Sequence, residues 1–225
     1  MYWEDVGFII SKRKFRENAI ILEVFTNSFG KVSGIVYGGN SRKVKNYLQI
    51  MNQIFVVYKS KSENKIGYFN TELVKAVSPK YFDNKKKLLC LNSLSSILKL
   101  LLPENQSYKS TYQSLTNFLN NFEEKKWPTY YLNWELDLIN SLGFGFEANI
   151  KDIQPSIKKK NYNIKIDNIE YKIPTFLFVR KFDNLNNEDI YTGLNFSRTL
   201  LENKFFNPNN IKIPYSRKLL EKRFL

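Results

Sequence analysis

Apolar and polar positions alternate in short runs through the first third of the chain: VGFIIS (6–11), AIILEVFT (19–26), KVSGIVYG (31–38), QIFVVYKS (53–60) and IGYFNTELVKA (66–76). Each run is rich in β-branched and aromatic residues, the composition that suits a half-buried strand. The breaks carry turn chemistry: Arg16-Glu17-Asn18, Asn27-Ser28-Phe29-Gly30, the stretch from Gly38 to Asn46, and Ser62-Glu63-Asn64. Five short strands in about eighty residues fit a five-stranded barrel better than a sandwich, which needs about seven.

Beyond Pro79 the period changes. Leu88, Leu91, Leu94, Ile97 (or Leu98) and Leu101 recur at helical spacing until Pro103. Tyr112, Leu115, Phe118, Leu119 and Phe122 repeat that spacing. Pro128 stands at a helix start, and YYLNWELDLINSLG ends on Gly143 at the position of a helix C-cap. KKKNYNIKIDNIEYKIP (158–174) has the pattern of a small hairpin turning at Asp167-Asn168, and 187–206 and 214–225 close the chain as helices. The expected fold class is α+β: a barrel over 1–80, then a mostly helical domain over 81–225 with an irregular or hairpin insertion at about 149–175.

Charge sharpens this division. Lys+Arg 35 against Asp+Glu 21 gives +14 over 225 residues. Residues 1–80 hold 13 basic and 6 acidic side chains, 81–150 hold 7 of each, and 151–225 hold 15 and 8. Codon bias toward lysine would spread the excess evenly, whereas the middle third is neutral. A basic barrel points to a polyanion. One cysteine and no histidine exclude an internal disulfide, a Cys/His zinc site and a histidine base. Cys90, in KLLCLNSL, reads as a small packed hydrophobe. The acidic start MYWEDVGF is unlike a signal peptide, and no apolar run reaches membrane-spanning length, so the expected compartment is a reducing cytoplasm.

Two stretches carry candidate chemistry. In GKVSGIVYGGNSRKVKN, Gly38 and Gly39 end a strand and Arg42, Lys43 and Lys45 follow at once. Glycine there permits positive φ and close approach, while one planar guanidinium and two ammonium groups suit phosphates. A solvated hairpin tip would produce the same residues. The second stretch is Lys12-Arg13-Lys14-Phe15-Arg16, placed between the first two strands. Cations mixed with aromatics are how small barrels hold single strands, and Phe15, Tyr37 and Tyr58 are the stacking candidates. An aromatic in a strand is more often core. No Gly-Lys-Ser phosphate loop, dinucleotide fingerprint or convincing carboxylate pair occurs, so the chain does not read as an enzyme and calls for no cofactor or metal.

GFIISKRKFRENAIILEVFTNSFGK, GIVYGGNSRKVKNYLQIMNQ and WELDLINSLGFGFE together closely resemble the RecO family of bacterial DNA repair and recombination mediators, especially proteobacterial members with a Gly-Gly-x-Ser-Arg loop. The resemblance runs from the first strand to IPYSRKLLEKRFL. It implies an OB-fold barrel, a helical domain, and a non-catalytic, cytoplasmic, nucleoid-associated protein. Such a protein binds single- and double-stranded DNA and anneals complementary strands. With RecR, and often RecF, it helps RecA displace single-strand-binding protein. Carried onto this chain, it makes Lys12, Arg13, Lys14, Arg16, Gly39, Arg42, Lys43 and Lys45 the DNA-facing residues, with Lys31 joining them. Many members carry four zinc-binding cysteines in the insertion; residues 149–173 here have none. The family also docks the acidic tail of single-strand-binding protein in an apolar pocket with basic neighbours, a role open to Lys125 and Lys126. The barrel and charge also fit an RNA-binding or translation-associated OB protein. A peripheral membrane protein would have only SRKLLEKRFL as its amphipathic helix.

Overall fold

The computed structural model describes residues 1–62, 65–144, 161–166, 169–178, 182 and 185–225. It divides into two compact units, one formed by Met1–Gln113 with Pro214–Arg217, the other by Ser114–Ile213 with Lys218–Leu225.

In the first unit, strands β1 (Tyr2–Arg16), β2 (Ala19–Thr26), β3 (Gly30–Tyr37), β4 (Gln53–Lys59) and β5 (Gly67–Lys75) close into a barrel of order β1-β2-β3-β5-β4. All neighbours are antiparallel except β3 and β5, which pair in parallel through Gly34–Gly67 and Ile35–Tyr68. The interior is filled by Ile9, Leu22, Val24, Val32, Ile54, Val56, Tyr58 and Phe69. Two glycines let rings lie flat on the strands. A Cβ on Gly34 would sit 2.5 Å from the Phe69 ring, and one on Gly67 would sit 2.4 Å from Tyr58. The five strands and the barrel are as the alternation predicts.

Two expectations inside the barrel are corrected. Lys12–Arg16 is not a turn but the second half of β1, which is far longer than the VGFIIS run. Its backbone is held by β2 as far as the Arg16–Ala19 pair, leaving only Glu17-Asn18 to turn. The apolar alternation stops at Ser11 because the following side chains leave the core, although the hydrogen-bond ladder continues. The Gly38–Asn46 stretch is likewise not all loop: Arg42–Tyr47 forms a short helix, α1. Val44, Tyr47 and Leu48 turn inward onto the barrel core, and the Tyr47 hydroxyl donates to the Thr71 carbonyl at 2.9 Å.

A 3₁₀ turn (Ser78–Tyr81) leads to helix α2 (Lys85–Leu101), capped by the Asn84 side chain, which accepts from the Lys87 N–H. Leu91, Leu94, Ile97 and Leu98 are buried at the predicted spacing, and so is Cys90. Helix α3 (Lys109–Asn120) follows, and its Tyr112 packs on Phe8 and Phe25 of the barrel.

The second unit is built on α4 (Trp127–Ser141) and α6 (Asn187–Leu201), with a hairpin of β6 (Asn161–Ile166) and β7 (Ile169–Pro174) and the short α5 (Thr175–Phe178). The hairpin forms as the sequence predicts; its turn, Asp167-Asn168, and residues 145–160 of the insertion lie outside the described residues. Gly143, at φ 89°, stands just past α4. The helices meet across Gly193, where a Cβ would lie 2.5 Å from Leu132. The buried Glu135 carboxylate joins them, accepting from the Tyr131 hydroxyl at 2.6 Å and the Ser197 hydroxyl at 2.7 Å. Burial of a carboxylate is tolerable only with such partners. Helix α6 continues as a π-type turn (Glu202–Phe206), and α7 (Tyr215–Glu221) with a 3₁₀ turn (Lys222–Phe224) ends the chain. Among the described residues no helix is long and apolar enough to cross a membrane.

Candidate nucleic-acid interface

Alternation along β1 splits its basic run. Core residues of β2 are the even-numbered ones, Ile20, Leu22 and Val24. Lys12 stands opposite Leu22 and Lys14 opposite Ile20, so both emerge at the barrel rim; Arg13 stands opposite Ile21, on the outer face. At the rim the strand meets the glycine stretch. Gly38, at φ 71°, donates its N–H to the Asn18 carbonyl at 2.7 Å, and the Asn40 amide donates to the Glu17 carbonyl at 2.8 Å. These two bonds tie the stretch to the β1–β2 turn. Gly39 closes on β2: an added Cβ would lie 2.6 Å from Ile20. The Ser41 hydroxyl accepts from the Val44 N–H at 3.4 Å at the start of α1, and Lys45, next to the inward Val44, is exposed.

The result is a cleft of about 200 Å³ lined by Lys12, Arg13, Lys14, Gly39, Asn40 and Lys45 over a floor of Ile20 and Leu48. Among the described residues no carboxylate lines it. Lys12 donates its ammonium to the Leu48 carbonyl at 2.6 Å and to Gln49 Oε1 at 3.2 Å, which fixes it at the edge. Burial, and then the neighbouring Lys45 charge, push the Lys12 pKa below its ordinary value. A site that disfavours its own positive charge is one that an anion would relieve. Four cations and an Asn side chain around an open cleft have the donor chemistry that suits phosphate oxygens.

Of the other candidates, Arg42 and Lys43 are exposed on α1 beyond the cleft, and Arg16 is exposed at the end of β1 with its guanidinium 5.2 Å from the Phe15 ring. Lys31 is not brought to this group. It is buried, and its ammonium donates to the Lys99 carbonyl in the last turn of α2 at 2.8 Å. Burial lowers its pKa, against the upward pull of Glu104 and Glu23. Among the aromatics, Phe15 and Tyr37 are exposed, whereas Tyr58 is core: it stacks on Trp3 at 4.8 Å, and its hydroxyl accepts from the Gly67 N–H. Sequence reasoning missed Asn40, whose place between Gly-Gly and Ser-Arg was its only signal. It also missed Tyr68, which pairing with β3 sets 6.4 Å from Tyr37. In the second unit, Lys125 and Lys126 line a separate cleft of about 250 Å³ with Phe182, Leu185, Ile190 and Phe224.

Comparison with known proteins agrees with this architecture. The model for "Recombination protein O N terminal" matches residues 1–77, and that for "Recombination protein O C terminal" matches 84–149. A DNA repair protein RecO of Hyphomonas neptunium is 28% identical over 99% of this chain and 98% of its own length. One from Wolbachia sp. subsp. Drosophila simulans is 28% identical over 98% of this chain and 99% of its own. One from Roseobacter denitrificans is 33% identical over 64% of this chain and 60% of its own. Among solved structures, Entamoeba histolytica asparaginyl-tRNA synthetase aligns over 76% of this chain and 39% of that one at 11% identity, and its TM-score of 0.29 carries no argument. The two models together match most of the chain, and it belongs to the recombination protein O family.

Proposed function

We propose that this member of the family is a non-catalytic DNA-binding protein of recombinational repair, which holds single and double strands by their phosphates and anneals complementary strands. The observation that carries the reading is the rim cleft: four cations from two separate sequence stretches converge there with no carboxylate among them. Phosphate contacts of this kind position a strand without reading its sequence, and they leave the base edges turned outward. Annealing is limited by repulsion between two polyanions. A basic barrel that neutralises part of that charge brings strands together while the bases stay free to pair. Arg42, Lys43 and Arg16 extend the positive surface on either side of the cleft.

In this reading the chain works in the cytoplasm, at the nucleoid, with RecR and in some cells RecF, to help load RecA onto DNA coated by single-strand-binding protein. The cleft of Lys125 and Lys126 with Phe182, Leu185 and Ile190 has the chemistry for the acidic, apolar tail of that coating protein. A strand-annealing assay with labelled complementary oligonucleotides, without nucleotide cofactor, tests the function. Faster pairing with added protein supports it. No acceleration, with preferential binding of structured RNA over single-stranded DNA of matched length, replaces it with an RNA-binding role.

A further inference from the structure

Helix α1 is too short to hold itself. It has six residues, none of them buried, where an isolated helix needs roughly 12–15 to be even marginal in water. The carbonyls at its C-terminal end have no partners within the helix and must find them elsewhere. Three successive carbonyls there are shared out between two side-chain-bearing neighbours. The Tyr47 carbonyl accepts from the Asn52 side-chain amide at 2.8 Å, and the Gln49 carbonyl from the Asn52 N–H at 3.0 Å. The Leu48 carbonyl between them accepts from Lys12 at 2.6 Å. The end of α1 is thus gripped by Asn52 from the core and by Lys12 from the cleft. Gln49 closes the bracket: its side chain accepts from Lys12 at 3.2 Å and donates to the Lys45 carbonyl at 2.9 Å.

Asn52 is itself fixed on every side. It is fully buried, and its side-chain oxygen accepts from the Val77 N–H at 2.8 Å and the Ser78 N–H at 3.2 Å. Its carbonyl accepts from the Ile9 N–H at 3.0 Å, and the Met51 N–H donates to the Ile9 carbonyl at 2.7 Å. The Ser78 hydroxyl donates to the Ile50 carbonyl. Met51 is buried at φ 63°, a conformation that a side chain keeps only where its surroundings impose it. Resting on the DNA-binding reading above, we infer that Asn52 is a positioning residue of the rim cleft: it sets α1 so that Lys45 and Lys12 face one space. A side chain with no exposed surface cannot touch a phosphate, so it acts through the helix end it holds. Without the amide, α1 keeps only the Tyr47 hydroxyl bond to Thr71 and the grip of Lys12, the very cation the cleft presents. The convergence of the two lysines is then averaged over many positions of α1. One side chain therefore ties the cleft to Val77 and Ser78, the segment that leaves the barrel.

The test compares Asn52→Ala with Val56→Ala, a truncation in the barrel core that lowers stability without touching α1. Oligothymidylate is titrated against the full chain across a salt series. Asn52→Ala should weaken binding about 5- to 25-fold at 0.1 M salt, as one or two phosphate contacts are lost at roughly fivefold each. The slope of log affinity against log salt should become shallower by about 0.7 for each contact. Val56→Ala should unfold earlier in denaturant yet bind within twofold of wild type. Native-state hydrogen exchange reads α1 without DNA: the Lys45 and Leu48 amides, bonded to Ser41 and Val44, should exchange over tenfold faster in Asn52→Ala alone. Asn52→Asp keeps the acceptor for Val77 and Ser78 but, ionised at pH 8, has no donor for Tyr47. It should bind as weakly as the Ala variant, and it replaces that variant if the Ala chain does not fold. Wild-type affinity and slope in the Asn52 variants, or a loss matched by Val56→Ala, would overturn the assignment. A wild-type chain that ignores oligothymidylate, with α1 still loosened in Asn52→Ala, would remove the DNA-binding reading and leave the tether to α1 standing.

Discussion

Two groups of lysines, one at the barrel rim and one where α2 meets the barrel wall, behave in opposite ways. At the rim, Lys12, Lys14 and Lys45 gather with Arg13 around a cleft without a carboxylate, and burial and crowding make Lys12 less willing to stay charged. Against α2, Lys31 and Lys99 are compensated. Lys99 pairs with Glu23 at 3.4 Å, Lys31 caps a carbonyl in the last turn of α2, where the helix dipole favours a cation, and Glu104 lies close by. The first group carries charge that no carboxylate lining the cleft offsets, while the second is a clasp between α2 and the barrel wall. Counting lysines does not separate them. Their carboxylate neighbours do.

The contrast can be broken most forcefully at the rim. Replacing Lys12, Lys14 and Lys45 together by Gln should weaken single-stranded DNA binding on the order of 100-fold at 0.1 M salt, at roughly fivefold for each phosphate no longer neutralised. Thermal unfolding should move little, because Lys12, Lys14 and Lys45 are all exposed and a Gln at 12 keeps a hydrogen-bond donor. Lys31→Met should do the reverse: it fills the same space but forfeits a charge-assisted hydrogen bond, costing roughly 1–2 kcal/mol of stability in denaturant titration, with DNA affinity within twofold.

A smaller effect distinguishes Lys12 from its neighbours. Its pKa lies below the value of an unfolded-chain lysine. As pH rises from that lowered value toward the ordinary one, the folded protein loses a proton the unfolded chain retains. Stability therefore increases across that window while DNA affinity falls, by at most about fivefold for a single phosphate. Lys45→Gln removes the repelling charge and should shift the fall to higher pH, as read by Nζ resonances and binding isotherms.

Much of this barrel was legible in the sequence, because period-2 alternation reports burial directly. The same signal misplaced Lys12–Arg16. Once a strand leaves the core its side chains stop alternating, though its backbone stays paired, so β1 ran on to Arg16 unseen. Helix α1 had a local signature in Ser41 followed by Val44, Tyr47 and Leu48, but six residues are too few for periodicity to outweigh two glycines and a basic cluster. Lys31 was grouped with the rim by charge alone. Its burial depends on a carbonyl 68 residues away, which no local stretch of sequence contains. The convergence of 12–14 with 39–45 depends on the β1–β2 turn being bonded to Gly38 and Asn40, again a tertiary fact.

The central claim is that the rim cleft takes phosphate by charge. Its most direct test is the slope of log affinity against log salt for single-stranded DNA, compared between wild type and the Lys12→Gln/Lys14→Gln/Lys45→Gln variant. With three fewer phosphates neutralised, the slope should be shallower by about 2, at roughly 0.7 for each. An unchanged slope, with Lys31→Met instead flattening it, would contradict the account.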